Sequence, residues 1–457
     1  MPIIIKAMGL ASYGIFIQLT TNLSMIHPFC TLALGEGFRR YSSKYEKDQI
    51  EELSEDYWSV IIPSIFTSFI GAMLIFLLAP FICETLFQEV SSDVLLACRI
   101  SSLMVIERVL WEQMNNYLMA RKQFKQNTYL TLAYKFVPYL GLVAGFIFWH
   151  SMAWGIGLFL LFESIFVLAL FFKLLKELPI QSINWDTLKK FFSYSWTLTI
   201  NQFEGGILAK VDRYFISILM GPAALGGYNI VYSVVSFLDD LSIPFRRYYS
   251  SYLPKMWDNG KEQKALYQIR TGLRYYFIIS WIMLIAIVLV LPQLLELLLS
   301  DRAPHIENFN WLVLVTGCGI VAEGARRLYG QIISLRNLNH YRIMFNLIAV
   351  VVNLILNYFL IPIWGLVGAG FATFVSYWII LVLNARMFSI EAGSKFYIQI
   401  FLAASAGIPA LLVTQSYPAP NIYYAVGYSI LFVMLFLLAA FSLRLTTMKE
   451  LKQFLGR

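Results

Sequence analysis

Residues 58–83 read WSVIIPSIFTSFIGAMLIFLLAPFIC, a run of apolar and small residues without one charged side chain. A helix that crosses a bilayer needs roughly 20 such residues, and this run exceeds that length. Working outward in both directions, thirteen stretches read the same way, at 10–34, 58–83, 93–119, 127–149, 152–176, 193–219, 223–246, 270–298, 308–334, 339–362, 365–388, 395–415 and 421–443. Hydrophobic residues make up 59% of the chain and charged residues 14%, against about 25% charged in a typical soluble domain. The chain therefore reads as an all-α integral membrane protein. The longest polar segment, residues 39–56, has room for one short interfacial helix, so no independent soluble domain fits within the 457 residues.

The net charge of +8 does not form one patch of the kind that binds nucleic acid. The basic residues recur in alternate loops: Arg39, Arg40, Lys44 and Lys47 after the first span, Arg121, Lys122 and Lys125 after the third, Lys173, Lys176, Lys189 and Lys190 after the fifth. The pattern continues with Lys255, Lys261 and Lys264, then Arg336 and Arg342, Arg386 and Lys395, and finally Arg444, Lys449 and Lys452. The intervening loops are nearly free of Lys and Arg, with Arg302 the exception. The positive-inside rule makes the basic loops and the C-terminus cytoplasmic. Thirteen spans would then leave the N-terminus outside, although Met1–Met8 is too short for a cleavable signal. The expectation is a missing first helix, fourteen spans in the intact protein and both ends inside. Cys30, Cys83, Cys98 and Cys318 fall in or beside apolar segments and read as free thiols.

Membrane transporters often carry internal repeats, and two echoes stand roughly 210 residues apart here. Asn127-Thr128-Tyr129 is echoed by Asn339-His340-Tyr341, and each is followed after one apolar crossing by a Trp-Gly pair, Trp154-Gly155 and Trp364-Gly365. A second echo sets Ala11-Ser12-Tyr13-Gly14 against Gly226-Gly227-Tyr228. With a first helix restored, each repeat holds an even number of spans and so keeps its orientation. The expected organisation is an N-terminal lobe (1–177), a cytoplasmic linker (178–192), a parallel, pseudo-symmetric C-terminal lobe (193–388), and a C-terminal helix pair with a tail (389–457).

An ionisable side chain at the centre of a span costs about 2.5–3.5 kcal/mol on insertion scales and marks a candidate functional site. The sixth span carries Glu204, Lys210, Asp212 and Arg213, with Lys210 and Arg213 three residues apart on one helical face. The seventh carries Asp239, Asp240, Arg246 and Arg247; a spacing of seven on an unbroken helix puts each acid on the face of one base. Arg99, Glu107, Arg108 and Glu112 lie in the third span, Glu163 in the fifth, and Glu323, Arg326 and Arg327 in the ninth. The candidate anion-binding cations are Lys210, Arg213, Arg246, Arg247, Arg326 and Arg39, and the candidate ion- or proton-coupling acids are Asp212, Glu107, Glu163 and Glu323. Simpler readings exist for part of this set. Arg108 with Glu112 and Glu323 with Arg327 are spaced to neutralise each other within one helix, while Arg39, Arg40, Arg246 and Arg247 can snorkel to headgroups. His27, His150, His305 and His340 are scattered, without metal-ligand spacing. No Gly-rich phosphate loop with a following Lys-Ser or Lys-Thr occurs. The sequence thus calls for no metal, cofactor or catalytic set, and if it moves a solute it does so as a secondary transporter.

The run Asn339-His340-Tyr341-Arg342, with Asn346, Asn353, Asn357 and then Leu360-Ile361-Pro362-Ile363-Trp364-Gly365-Leu366-Val367-Gly368-Ala369-Gly370-Phe371-Ala372-Thr373, resembles the hallmark segment of bacterial polysaccharide flippases. These belong to the multidrug/oligosaccharidyl-lipid/polysaccharide exporter superfamily. Val211-Asp212-Arg213-Tyr214-Phe215, Ala224-Leu225-Gly226-Gly227-Tyr228, Leu253-Pro254, Ala11-Ser12-Tyr13-Gly14, Thr31-Leu32-Ala33-Leu34-Gly35 and Phe38-Arg39-Arg40 carry the same resemblance. It implies two six-helix lobes plus a C-terminal pair in the bacterial inner membrane. It also implies alternating-access export of undecaprenyl-diphosphate-linked oligosaccharide for O-antigen, capsule or exopolysaccharide, beside a polysaccharide polymerase and a chain-length regulator. Arg246 and Arg247 stand where that family usually has apolar or small residues. The rival readings are a multidrug exporter of the same superfamily, a polysaccharide polymerase or ligase, and a non-transporting scaffold of a glycan-assembly complex. External loops of about ten residues leave little room for the enzyme, since such enzymes typically hold their chemistry in a large one.

Loop charge generates a direct expectation. A topology reporter fused after Lys190 or Lys264 reads as cytoplasmic and one placed within 416–421 reads as external; the opposite signal at either set overturns the assignment.

Overall fold

The computed structural model describes residues 2–45, 49–299, 306–336, 338–387 and 421–442. Every regular element among them is a helix, and the chain groups into two compact units, Met1–Gly226 and Gly227–Arg457. The first unit holds α1 (Pro2–Thr31), α2 (Leu34–Ser42), α3 (Ile50–Ile82), α4 (Ser92–Ala120), α5 (Phe124–Phe136), α6 (Pro138–Trp149), α7 (Met152–Glu177) and α8 (Trp185–Met220). A π-helical turn at Cys83–Phe87 closes α3. Helix α9 (Pro222–Val235) crosses the unit boundary. The second unit continues with α10 (Phe237–Asp240), α11 (Ile243–Asp258), α12 (Glu262–Leu299), α13 (Phe309–Leu335), α14 (Asn339–Met387) and α15 (Ile422–Ser442). Twelve of the thirteen expected spans coincide with these helices; the one at 395–415 lies outside the described residues.

Among the described residues, six helical segments are both long and apolar enough to cross a membrane: Pro2–Thr31, Ile50–Phe87, Phe124–Trp149, Met152–Glu177, Glu262–Leu299 and His340–Arg386. On α3, Phe66, Phe69, Met73, Leu77 and Phe81 stand exposed along one side, as expected of a face that meets lipid tails. Helices α4, α8 and α13 are as long but carry the charges noted above. They pack inside their units: α4 against α1, α3 and α7, α8 against α1, and α13 against α12 and α14. Charge and position agree at the level of the side chain: Glu163, Glu204, Asp212 and Glu323 are buried, while α7 and α8 also expose apolar side chains.

Breaks in the helices have local causes. Pro138 has no N–H for the carbonyl one turn back, so the fourth span divides into α5 and α6. Pro244 does the same between α10 and α11 in the seventh span, and a turn at Ser236 separates α9 from α10. Ser236, Leu241 and Ser242 keep right-handed helical dihedrals, and Asp239 and Arg246 stay within electrostatic range of each other. Leu32 and Ala33, both at φ 47°, turn α1 into α2. Gly365 (φ 56°, ψ −136°) interrupts α14, as the second Trp-Gly pair predicts. The first pair differs: the chain turns at His150 (φ 51°), and Trp154-Gly155 lies in the first turn of α7. That turn is capped by the Ser151 hydroxyl and by Asp93 of α4, whose carboxylate accepts from the amides of Met152 (2.6 Å) and Ala153 (3.3 Å). Gly9 (φ 79°, ψ 170°) and Gly221 (φ 85°, ψ 173°) adopt the same backbone conformation, which only glycine takes freely. They fix the register of the N-terminal echo more closely than the Tyr-Gly elements do.

Close packing of α6 on α7 depends on Gly145. A Cβ there would sit 2.5 Å from the backbone of Gly155, so Gly145→Leu must push the two helices apart. The expected outcome is a loss of about 1–3 kcal/mol, read as a lower thermal midpoint of the purified protein; an unchanged midpoint contradicts the packing.

Candidate functional site

Most charged residues of the spans gather into one cluster in each unit, while Arg99 lies 5.2 Å over the Phe76 ring. In the first, α4 supplies Glu107, Arg108 and Glu112, α7 supplies Glu163, α8 supplies Lys210, Asp212 and Arg213, and α1 supplies Thr21 and His27. Arg108 Nε lies 3.8 Å from Glu163 Oε1, and Glu107 accepts a hydrogen bond from Ser164. Glu112 Oε2 lies 3.2 Å from His27 Nε2. Asp212, buried, accepts from the Arg213 amide at 2.8 Å. Arg213 Nη1 donates to Thr21 Oγ1 at 3.4 Å.

Lys210 stands apart in this group. The charged groups that act on it electrostatically are Arg213 and Arg108, both of its own sign, and His27 also lies within its electrostatic range. Among the described residues no carboxylate oxygen lies within 4 Å of its ammonium. Each cation of this kind is expensive in a partly buried setting, and an anion entering among them meets charge-assisted donors already in place. Gln18 and Asn22 on α1, joined at 3.0 Å, add neutral polar groups beside Thr21 in the sequence.

Arg39 sits on α2 and pairs with Glu36 of the same helix. Its neighbour Arg40 lies 4.4 Å over the Tyr194 ring of α8, and the Tyr194 phenol beside it holds its guanidinium above the usual range.

In the second unit Glu323 is the hub. Arg326 grips it with two bonds of 2.5 Å, from Nε and Nη2, and Arg327 Nε adds a third at 2.9 Å. Arg327 also reaches Asp239 Oδ2 at 3.2 Å. Arg246 lies within electrostatic range of Asp239, Glu323 and Arg327, while Arg247 is exposed on α11. The intrahelical Glu323–Arg327 pair therefore forms as its spacing allows. The Arg108–Glu112 pair does not, since each member turns to a different helix.

Sequence spacing brought Lys210, Asp212, Arg213, Glu107 and Glu163 forward, and the structure gathers them in the first unit with Arg108 as the connecting cation. Glu323, Arg326 and Arg246 gather in the second. His27 and Glu112 were missed as partners, because their helices are remote in sequence and histidine count alone gives no pairing. Asn353 and Asn357, both fully buried one turn apart on α14 and joined at 2.9 Å, form a further polar pair, and Thr373 beyond the Gly365 break is also buried. Their sequence signal was the asparagine run itself.

This architecture of broken, charge-bearing inner helices inside apolar outer ones defines a multi-pass membrane protein with a transporter fold. A lipid II flippase MurJ in an inward closed conformation matches it with a TM-score of 0.69 at 14% identity, over 100% of this chain and 97% of that one. An inward-facing multidrug resistance MATE family transporter of the MOP superfamily matches with 0.68 at 12%, over 86% and 94%. A MOP superfamily transporter from Pyrococcus furiosus matches with 0.56 at 11%, over 85% and 91%. No curated protein matches the chain in sequence. The chain belongs to the polysaccharide biosynthesis protein family, whose model matches residues 19–303.

Proposed function

We propose that the protein flips undecaprenyl-diphosphate-linked oligosaccharide from the inner to the outer leaflet of the bacterial inner membrane, for assembly of a surface polysaccharide. The observation that carries this reading is Lys210, crowded by Arg213 and Arg108 in the interior of the first unit without a carboxylate of its own among the described residues. A diphosphate supplies the missing anion, and Gln18, Thr21 and Asn22 on the facing helix meet the sugars. The polyprenyl tail stays in lipid throughout. Membership of the polysaccharide biosynthesis family and the fold shared with a lipid II flippase support the same substrate class.

Movement follows alternating access between two lobes. Carrying about two negative charges outward across an inside-negative potential is downhill by roughly 2.3 kcal/mol per charge per 100 mV. Glu107, Glu163, Asp212 and Glu323 are the acids available to couple an ion or proton to that movement. Glu107 and Glu163 each keep one buried oxygen without a hydrogen-bond partner, which favours them over Glu323 with its three arginine bonds. The product would pass to a polysaccharide polymerase working with a chain-length regulator. The fold shared with a multidrug transporter keeps export of organic cations as the second reading, and the cation cluster weighs against it.

If Lys210 and Arg213 hold the diphosphate, Lys210→Ala and Arg213→Ala each abolish complementation of a flippase-deficient strain at normal membrane abundance. Arg213→Lys keeps part of the activity, because a point charge still attracts phosphate but lacks the bidentate fork. Normal export by the Lys210→Ala/Arg213→Ala double variant would end the proposal.

A further inference from the structure

Two polar bridges occupy matching places in the two units. In the first, His27 on α1 meets Glu112 on α4 at 3.2 Å. In the second, Asp239 on α10 meets Arg327 on α13 at 3.2 Å. His27 and Asp239 stand 212 residues apart, the same interval that separates Gly9 from Gly221 and Asn127 from Asn339. Each bridge joins a span to the second span after it, passing over α3 in one unit and α12 in the other. The polarity is reversed: the first unit has the base on α1 and the acid on α4, the second has the acid on α10 and the base on α13. What recurs is the bridge, not the residue types.

Both bridges lie just before a break. His27 precedes the Leu32–Ala33 turn, and Asp239 precedes the turn at Leu241–Ser242. Beyond each break comes a short helix bearing an arginine pair, Arg39 and Arg40 on α2 and Arg246 and Arg247 on α11. In each unit the first arginine of the pair lies within electrostatic range of the bridge carboxylate, Arg39 of Glu112 and Arg246 of Asp239. The second unit adds a further tie. The buried Tyr276 hydroxyl lies 3.1 Å from the Leu238 carbonyl of α10 and 3.2 Å from the Val321 carbonyl of α13. A bridge between helices adds little net stability over an apolar pair of the same size, and its best-attested use is to fix register.

We infer that the two bridges are one positioning device built twice, each setting the angle at which its arginine-bearing helix leaves the break. The transport consequence rests on the function proposed above, since it needs the arginines to meet an anionic substrate; the geometric consequence does not. The residues are therefore positioning residues, acting through α2 and α11.

The test uses the full-length protein with its native cysteines replaced by alanine and one reporter at a time, Ser43→Cys after α2 or Ser250→Cys in α11. Labelling by an impermeant maleimide is followed in inverted vesicles beside export in cells. His27→Glu or Glu112→His should change the labelling rate at position 43 by about fivefold or more and leave position 250 unchanged. Asp239→Arg or Arg327→Asp should do the converse. The reversed pairs, His27→Glu/Glu112→His and Asp239→Arg/Arg327→Asp, should restore both labelling and export. Single variants with wild-type labelling, or reversed pairs that fail to restore it, overturn the inference. If a single variant does not reach the membrane, its reversed pair decides alone and must insert and label as wild type does. Labelling that changes and is restored in a protein that moves no lipid-linked glycan removes the substrate reading and leaves the device standing.

Discussion

Hydrocarbon offers no water to a charged side chain, so every charge carried into it must meet another protein group, reach an aqueous cavity or be lost by selection. The rest of this structure follows from that constraint. Uncharged helix faces, such as those of α3 with Phe66 and Phe69 and of α7 with Leu161 and Ile165, meet lipid and leave their large apolar side chains exposed. The charged side chains turn inward, where Glu163 of α7 finds Arg108 of α4 and Glu323 of α13 finds Arg326 and Arg327. The two units solve the same problem differently. In the second, three acids and three bases (Asp239, Asp240, Glu323 and Arg246, Arg326, Arg327) surround one another. In the first, Lys210 faces two cations of its own sign.

On the proposed function, this difference divides labour between the units. A cluster closed on itself, such as Glu323 with its two arginines, is suited to holding helices in place, because its donors are already committed. A cluster with an uncommitted cation is suited to a ligand. Breaking the first kind leaves buried charge without a partner and costs about 3–5 kcal/mol, whereas removing an uncommitted cation relieves repulsion. Variants in the two units should therefore separate by phenotype, one losing protein and the other losing transport.

Much of the fold was legible because the signal for a membrane span is long and local. Twelve expected spans coincide with helices, and the Gly365 break was readable from Trp364-Gly365. Pro138 and Pro244 were visible in the sequence too, yet hydropathy reads across a proline without registering the lost hydrogen bond. The Leu32–Ala33 turn was not readable, since neither residue favours a left-handed conformation and packing imposes it. In the candidate site, residue types and helical faces were readable, which brought Lys210 and Arg213 forward together. Partners across helices were not: His27 with Glu112, Arg108 with Glu163 and Asp239 with Arg327 depend on which helices pack, and spacing within one helix suggested other pairings.

The central claim is that the cation cluster of the first unit serves a lipid-linked diphosphate. The most direct measurement is flipping in proteoliposomes of the purified protein, comparing a fluorescent polyprenyl-diphosphate oligosaccharide with a fluorescent organic cation. The account predicts movement of the glycolipid, accelerated by a potential negative on the side from which it leaves, and no movement of the cation. Transport of the cation with the glycolipid left in place would contradict it.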